Sequence, residues 1–186
     1  MAQLDVPVVF QDSRESCLLY GVYMILSYYD ALPEDVDELL STQTDHVGTY
    51  FPQIGGWLER HGYDTKIITA HPGLFTREAQ DKSEERLASL ILSKEPSSEQ
   101  EEKVLSYFED YLEDGGTVTY SIPTIPILKD FIDRGVPVGV ASTTRFKAQT
   151  SRSLNYHFLV ATGYDDEHVY VNDPNEQYTD DGTEQY

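Results

Sequence analysis

Cys17 is the chain's only cysteine, and a glutamine, Gln11, stands six residues before it. A thiolate, not a thiol, attacks carbonyls, so a cysteine nucleophile needs positive charge beside it and a base for its proton. From its position alone, Cys17 reads equally well as a buried, inert thiol at the start of a core helix. Gln11 shifts that balance, because a loop of this length can fold back and aim its carboxamide NH2 at the same carbonyl. Such a donor stabilises the oxyanion formed during acyl transfer.

Five histidines are present, and His157 is the best candidate base. It begins an apolar run, His157-Phe158-Leu159-Val160-Ala161, that reads as a strand, and a strand's first residue can project into a cleft while its neighbours hold it rigid. His46, His61 and His71 fall in loops or at helix ends, where solvation is the default. His168 adjoins an acidic turn, which predicts pairing with carboxylates. The next strand ends in Val171-Asn172-Asp173-Pro174. If the two strands form a hairpin, the Asn172-Asp173 pair comes near His157, and a carboxylate there would fix the imidazole tautomer and steady the imidazolium. Asn-Asp-Pro is also ordinary turn chemistry, so the cysteine, histidine and carboxylate together carry more than any one of them.

These residues need a frame. Leu18, Leu19, Val22, Ile25, Leu26 and Tyr29 recur at helical spacing, so a core-facing helix runs from about Cys17 to Tyr29 and places the cysteine at its N-terminus, where the helix dipole favours an anion. Val6 to Phe10, with Pro7 near its start, predicts an edge strand. Short helices are expected from Pro33 to Leu40 and from Tyr50 to His61, the second ended by Gly62. A strand is expected over Tyr63 to Thr69. The charged stretch from about 76 to 113, interrupted at Glu95-Pro96-Ser97-Ser98, reads as two amphipathic helices inserted into a single domain spanning 1–186. After a helix over Pro126 to Arg134, strands are expected at Val136 to Ser142, Tyr156 to Gly163 and His168 to Val171, with Asp165-Asp166 turning the last pair. The acidic tail from about 175 to 186 is expected to fray. Helices first and an antiparallel sheet after make an α+β layout.

Composition narrows the function. With 186 residues the chain can bury one sizeable core. A lone cysteine excludes an internal disulfide and any multi-cysteine zinc site, and no His-x-x-x-His pair is present, so neither metal nor cofactor is expected. The net charge of −20 repels nucleic acid and anionic membranes, and neither is an expected partner. No run approaches the roughly 20 apolar residues of a membrane span, and the start lacks signal-peptide features. The expected location is the cytoplasm. Acidic residues spread along the whole chain suit a salt-rich cytosol such as that of halophilic archaea, with stability rising as salt is added.

Gln11 followed by Cys17 opening a helix, Gly135-Val-Pro-Val-Gly-Val, His157-Phe-Leu-Val-Ala-Thr-Gly-Tyr-Asp and Val-Tyr-Val-Asn-Asp173-Pro174 resemble the bacteriocin-processing peptidase-like branch of the papain superfamily. The resemblance covers the first 40 residues and everything after about 123. It implies a papain-like fold with Cys17 as nucleophile, His157 as base, Asp173 as orienting acid and Gln11 as oxyanion donor, acting on a peptide or protein substrate. One departure is Leu18, where the family often has glycine after the cysteine. The same residues would serve hydrolysis of a peptide or isopeptide bond, or a non-proteolytic acyl transfer or deamidation; a module that only binds peptides is the third reading.

Overall fold

The computed structural model describes residues 1–13, 15–34, 36–42, 48–143, 156–175 and 183–185. In chain order its elements are β1 (Ala2–Gln3), α1 (Cys17–Tyr28), α2 (Val36–Ser41), α3 (Phe51–Arg60), β2 (Lys66–Thr69), a 3-10 turn (Arg77–Ala79), α4 (Glu84–Leu92), α5 (Glu99–Glu113), β3 (Thr117–Tyr120), α6 (Ile125–Asp133), β4 (Val138–Thr143), β5 (Tyr156–Tyr164), β6 (Val169–Asn172) and β7 (Thr183–Gln185). The architecture is α+β. The chain divides into two compact units, one made of Met1–Thr49 with Ile125–Tyr186, the other of Tyr50–Thr124.

The first unit is built on an antiparallel sheet, five-stranded among the described residues, with β5 at its centre. One edge of β5 is shared: β4 pairs along residues Tyr156 to Ala161, and β1 pairs with Gly163 and Tyr164. β6 lies on its other side, and β7 pairs with β6. Strand alternation gives β5 two different faces. Phe158 and Val160 face α1. Leu159 and Ala161 instead form a core with Ile132 of α6 and Val171 of β6. The sheet is therefore covered on both sides.

α1 begins as its sequence predicts and stops one residue early, at Tyr28. Its buried side chains are Leu18, Leu19, Val22, Met24 and Leu26, each worth about 1.5–3 kcal/mol of apolar burial. Met24 is fully buried, whereas Tyr29, read from spacing as core, is 48% exposed. The chain leaves the helix through Asp30 at φ 51°, a left-handed conformation that aspartate tolerates better than most residues.

Val6 to Phe10 is not a strand. Pro7 removes a ladder donor, and the sheet edge is taken instead by Ala2–Gln3, followed by a Leu4 N–H bond to the Thr162 carbonyl of 2.7 Å. The Val6 carbonyl is used all the same, by the Asn172 side chain at 2.9 Å. Within the stretch read as a frayed tail, residues 183–185 form β7; residues 176–182 and 186 lie outside the described residues.

In the second unit, β2 and β3 are parallel, in register from Lys66↔Thr117 to Thr69↔Tyr120. Parallel neighbours need a long crossover, and α4 and α5 lie in it. The pair of helices expected over 76–113 is thus the connection between two strands. β3 is not expected from the sequence; it has four residues, of which Val118 is the buried one. Phe75, Leu87, Ile91, Phe108, Tyr111 and Val118 make this unit's core. The break at residues 95–98 is where Ser98 caps α5, accepting the Glu101 N–H at 3.2 Å.

Candidate active site

Cys17 opens α1 and is partly exposed. The preceding residue, Ser16, is the helix N-cap, yet its side chain makes no bond to the first turn. Its hydroxyl instead turns back into the 11–16 loop, within 3.0 Å of Asp12 Oδ1 and 2.9 Å of the Ser13 carbonyl. The first-turn N–H groups of α1 therefore keep their positive end beside the cysteine.

α1 must lie close to the strand that carries His157, and two glycines make that possible. A Cβ at Gly21 would fall 2.2 Å from the Phe158 ring, and one at Gly139 of β4 would fall 2.4 Å from it. Phe158 thus sits in a slot cut by glycine on the helix and on the neighbouring strand. Gly21 is one helical turn from Cys17, and Phe158 adjoins His157. The slot sets the spacing between the two chemical residues.

The His157 imidazole is 8% exposed, and its Nε2 lies 2.6 Å from Oδ1 of Asp173, which is fully buried. The same ring is within hydrogen-bonding reach of Cys17, and with Nε2 engaged by the carboxylate, Nδ1 is the nitrogen left for the sulfur. Burial works against the charged imidazolium, but hydrogen bonds and charge from Asp173 and Cys17 outweigh it and raise the pKa to about 9. Asp173 Oδ1 also accepts the Asn175 N–H at 2.8 Å, which fixes the carboxylate.

A β-bulge selects Asp173 over Asn172. Near the turn, Gly163 pairs with Tyr170; beyond the irregularity, Ala161 pairs with Val171 and Val160 with Asn172. Thr162 is the extra residue, buried, its hydroxyl 3.4 Å from the Tyr170 carbonyl and accepting the Gln3 amide at 3.3 Å. Without it the register of the turn would carry Asn172 onto the face of His157, since a one-residue slip exchanges faces. With it, Asp173 takes that face and Asn172 turns to Val6.

Gln11 is brought to the same strand end: its backbone N–H donates to the Pro174 carbonyl at 2.7 Å. Its side-chain Nε2 donates to the Ser13 carbonyl at 2.7 Å, while Oε1 is buried with no partner among the described residues. An amide NH2 carries two donors, so one remains after Ser13.

All four residues singled out from the sequence therefore lie in the first unit, around one end of β5 and β6. The other described histidines have partners of their own. His168 pairs with Asp165 at 3.3 Å, as its acidic turn predicts. His61 stacks on Trp57, its Nδ1 2.7 Å from the Trp57 carbonyl, and His71 Nδ1 accepts the Gly73 N–H at 3.1 Å. His46 lies outside the described residues. Sequence reasoning missed Ser16, the Gly21–Gly139 slot and the Thr162 bulge. A serine directly before the cysteine and a glycine four residues after it were the available signals; nothing local marks the bulge.

Residues 3–186 match the model of the Peptidase_C39 like family. The chain belongs to that family. No curated protein and no solved structure matches it. Family membership carries a papain-like arrangement, with the cysteine on a helix and the histidine and carboxylate on the sheet, and a cysteine peptidase-like character. Among the described residues of this family member, no three His, Cys, Asp or Glu side chains group as metal ligands. No described helix is long and apolar enough to cross a membrane.

Proposed function

We propose that the protein is a cysteine hydrolase that cleaves a peptide or isopeptide bond through an acyl-thioester on Cys17. The observation that carries the reading is His157 within hydrogen-bonding reach of Cys17 and bonded to the buried Asp173 carboxylate. A raised imidazole pKa means that His157 holds its proton at neutral pH, and an imidazolium in that place is the positive charge a cysteine nucleophile needs beside it.

In this mechanism the Cys17 sulfur attacks the carbonyl carbon, and the electron pair moves to oxygen. The Cys17 backbone N–H and the second Nε2 hydrogen of Gln11 are the oxyanion donors. His157 then gives its proton to the leaving amine as the carbon–nitrogen bond breaks, which leaves a thioester and a neutral imidazole. Water, giving a proton to that imidazole, adds to the thioester; collapse releases the carboxylic acid and regenerates the pair. Asp173 holds Nε2 and so fixes the imidazole tautomer that presents Nδ1 to the sulfur.

Alkylation of Cys17 by iodoacetamide, followed from pH 4 to 10 in molar salt beside His157→Ala, tests the nucleophile. Rapid labelling that persists at pH 5–6 and collapses in the variant is the expected result. A wild type that labels only as an ordinary thiol does, or resists labelling while folded, would sink the reading. Product analysis with an added amine then separates hydrolysis from acyl transfer.

A further inference from the structure

Asp12 lies in the loop between Gln11 and Cys17 and is exposed. Two groups of α1's first turn converge on it. Ser16 Oγ lies 3.0 Å from its Oδ1, and the Tyr20 hydroxyl hydrogen-bonds both its carboxylate and its backbone. Ser16 is 3% exposed, and it also accepts the Ser13 N–H at 3.3 Å and the Ser13 hydroxyl at 3.1 Å.

The Ser13 carbonyl is the contested group. It accepts Gln11 Nε2 at 2.7 Å and the Ser16 N–H at 3.3 Å, and the Ser16 hydroxyl is 2.9 Å away. A carbonyl oxygen has two lone pairs, so a third donor weakens the other two. The Ser16 hydroxyl has one proton and two acceptors in reach, Asp12 Oδ1 and the Ser13 oxygen. A carboxylate is the stronger acceptor. While Asp12 is ionised it draws that proton, and the Ser13 carbonyl is left to Gln11. That bond also fixes which way the carboxamide faces, because Oε1 has no partner among the described residues.

We propose that Asp12 is a positioning residue for acyl transfer: by holding the Ser16 hydroxyl, it reserves the Ser13 carbonyl for the Gln11 amide and so keeps that amide aimed as an oxyanion donor. The inference rests on the roles proposed for Cys17 and Gln11. It separates two kinds of reaction at the same sulfur. Attack on a carbonyl passes through an oxyanion; displacement of iodide from iodoacetamide does not.

The test compares both on the full chain. p-Nitrophenyl acetate acetylates Cys17 as p-nitrophenolate departs, and the burst of yellow product reports the rate. Asp12→Ala should slow this burst about tenfold, less than the roughly 10²-fold expected for loss of Gln11 itself, while iodoacetamide labelling stays within about twofold. Asp12→Asn, which keeps an acceptor oxygen for Ser16 but not a charged one, should recover only part of the rate. In a Gln11→Ala background Asp12→Ala should cost nothing further, the mark of residues acting as one unit. Tyr20→Phe, which leaves the loop sequence intact, should show the same pattern at smaller size and serves if Asp12→Ala folds poorly. Equal slowing of burst and alkylation, or full additivity with Gln11→Ala, overturns the proposal, as does an unchanged burst. A wild type without His157-dependent alkylation overturns the nucleophile reading and this inference with it. Normal alkylation with no Asp12 effect overturns this inference alone.

Discussion

Each unit seats one aromatic ring between two glycines, and the two rings have opposite polar surroundings. In the unit of Tyr50–Thr124 the ring is Tyr111. A Cβ on Gly55 or Gly116 would come within 2.8 or 2.0 Å of it. Its hydroxyl meets the Thr65 carbonyl at 3.2 Å, the Thr117 carbonyl at 3.0 Å and the Thr117 N–H at 3.1 Å, where β2 and β3 begin. Each of these bonds closes on the unit's own backbone. In the first unit the ring is Phe158, which has no polar atom, and the polar chain begins at the adjoining residue. It runs from buried Asp173 through His157 and ends on a partly exposed sulfur. The helix ends differ in the same sense. Ser83 and Ser98 cap α4 and α5 with their hydroxyls, whereas Ser16 leaves α1 uncapped at Cys17. Polar groups satisfied within the fold hold a structure; a chain left open at one end is available for chemistry.

Breaking the open chain should have the largest effect. His157→Ala is expected to lower p-nitrophenyl acetate acylation about 10³-fold or more, while Tyr111→Phe leaves it within about twofold. Comparable losses in burst assays of the two variants would erase the distinction.

The glycine slots predict a smaller effect and a sharper contrast. Gly21→Ala and Gly55→Ala each force a ring aside, and overpacking of this kind costs about 1–3 kcal/mol, readable in urea unfolding. Only Gly21→Ala should also slow iodoacetamide labelling, by roughly tenfold, because only that slot sets the spacing of thiol and imidazole; a change of this size is about 1.4 kcal/mol in barrier. Tyr111→Phe, which leaves buried backbone groups at Thr65 and Thr117 short of a partner, should cost about 1–3 kcal/mol and leave labelling untouched.

The two hubs also titrate in separate windows. His157 is raised in the folded state from 6.5 to about 9. Its contribution to stability is fully present below about 6.5 and is lost as pH rises through about 9. Tyr111 is raised from 10.0, chiefly by burial, so its contribution falls away only above 10. Urea midpoints measured from pH 6 to 11 should decline in the first window for the wild type but not for His157→Gln, and Tyr111→Phe should alter only the second. A single decline shared by both variants would contradict this separation.

The smallest effect belongs to the caps. Ser98→Ala should cost about 1 kcal/mol of stability without changing labelling. If it slowed labelling, the capped and uncapped helix ends would not be functionally distinct.

How much of the fold and site is legible in the sequence depends on how local the cause is. The apolar spacing after residue 17 fixes a helix and its start, because a helix buries one face by its own period. The continuous apolar run after His157 marks a strand buried on both faces. Type and position together named Cys17, His157 and Gln11: the sole cysteine, the histidine that opens an apolar run, and the glutamine six residues before the cysteine. Three short strands escaped: β1, β3 and β7 exist because a neighbour offers an edge, whereas β2 and β6, with four residues each, lie in stretches whose own pattern marks them.

Asp173 is named from the sequence by its chemistry and the family resemblance; only the tertiary structure shows why Asp173 and not Asn172 faces His157. Both sit where a hairpin would bring them, and a single extra residue at Thr162 reverses the faces. It also decided that Gly21 and Gly139 serve one ring, since the close approach they permit joins residues 118 apart along the chain. Residue type sets what chemistry is available; pairing register and packing distance set which atoms meet, and both are properties of chain segments brought together, not of any one segment.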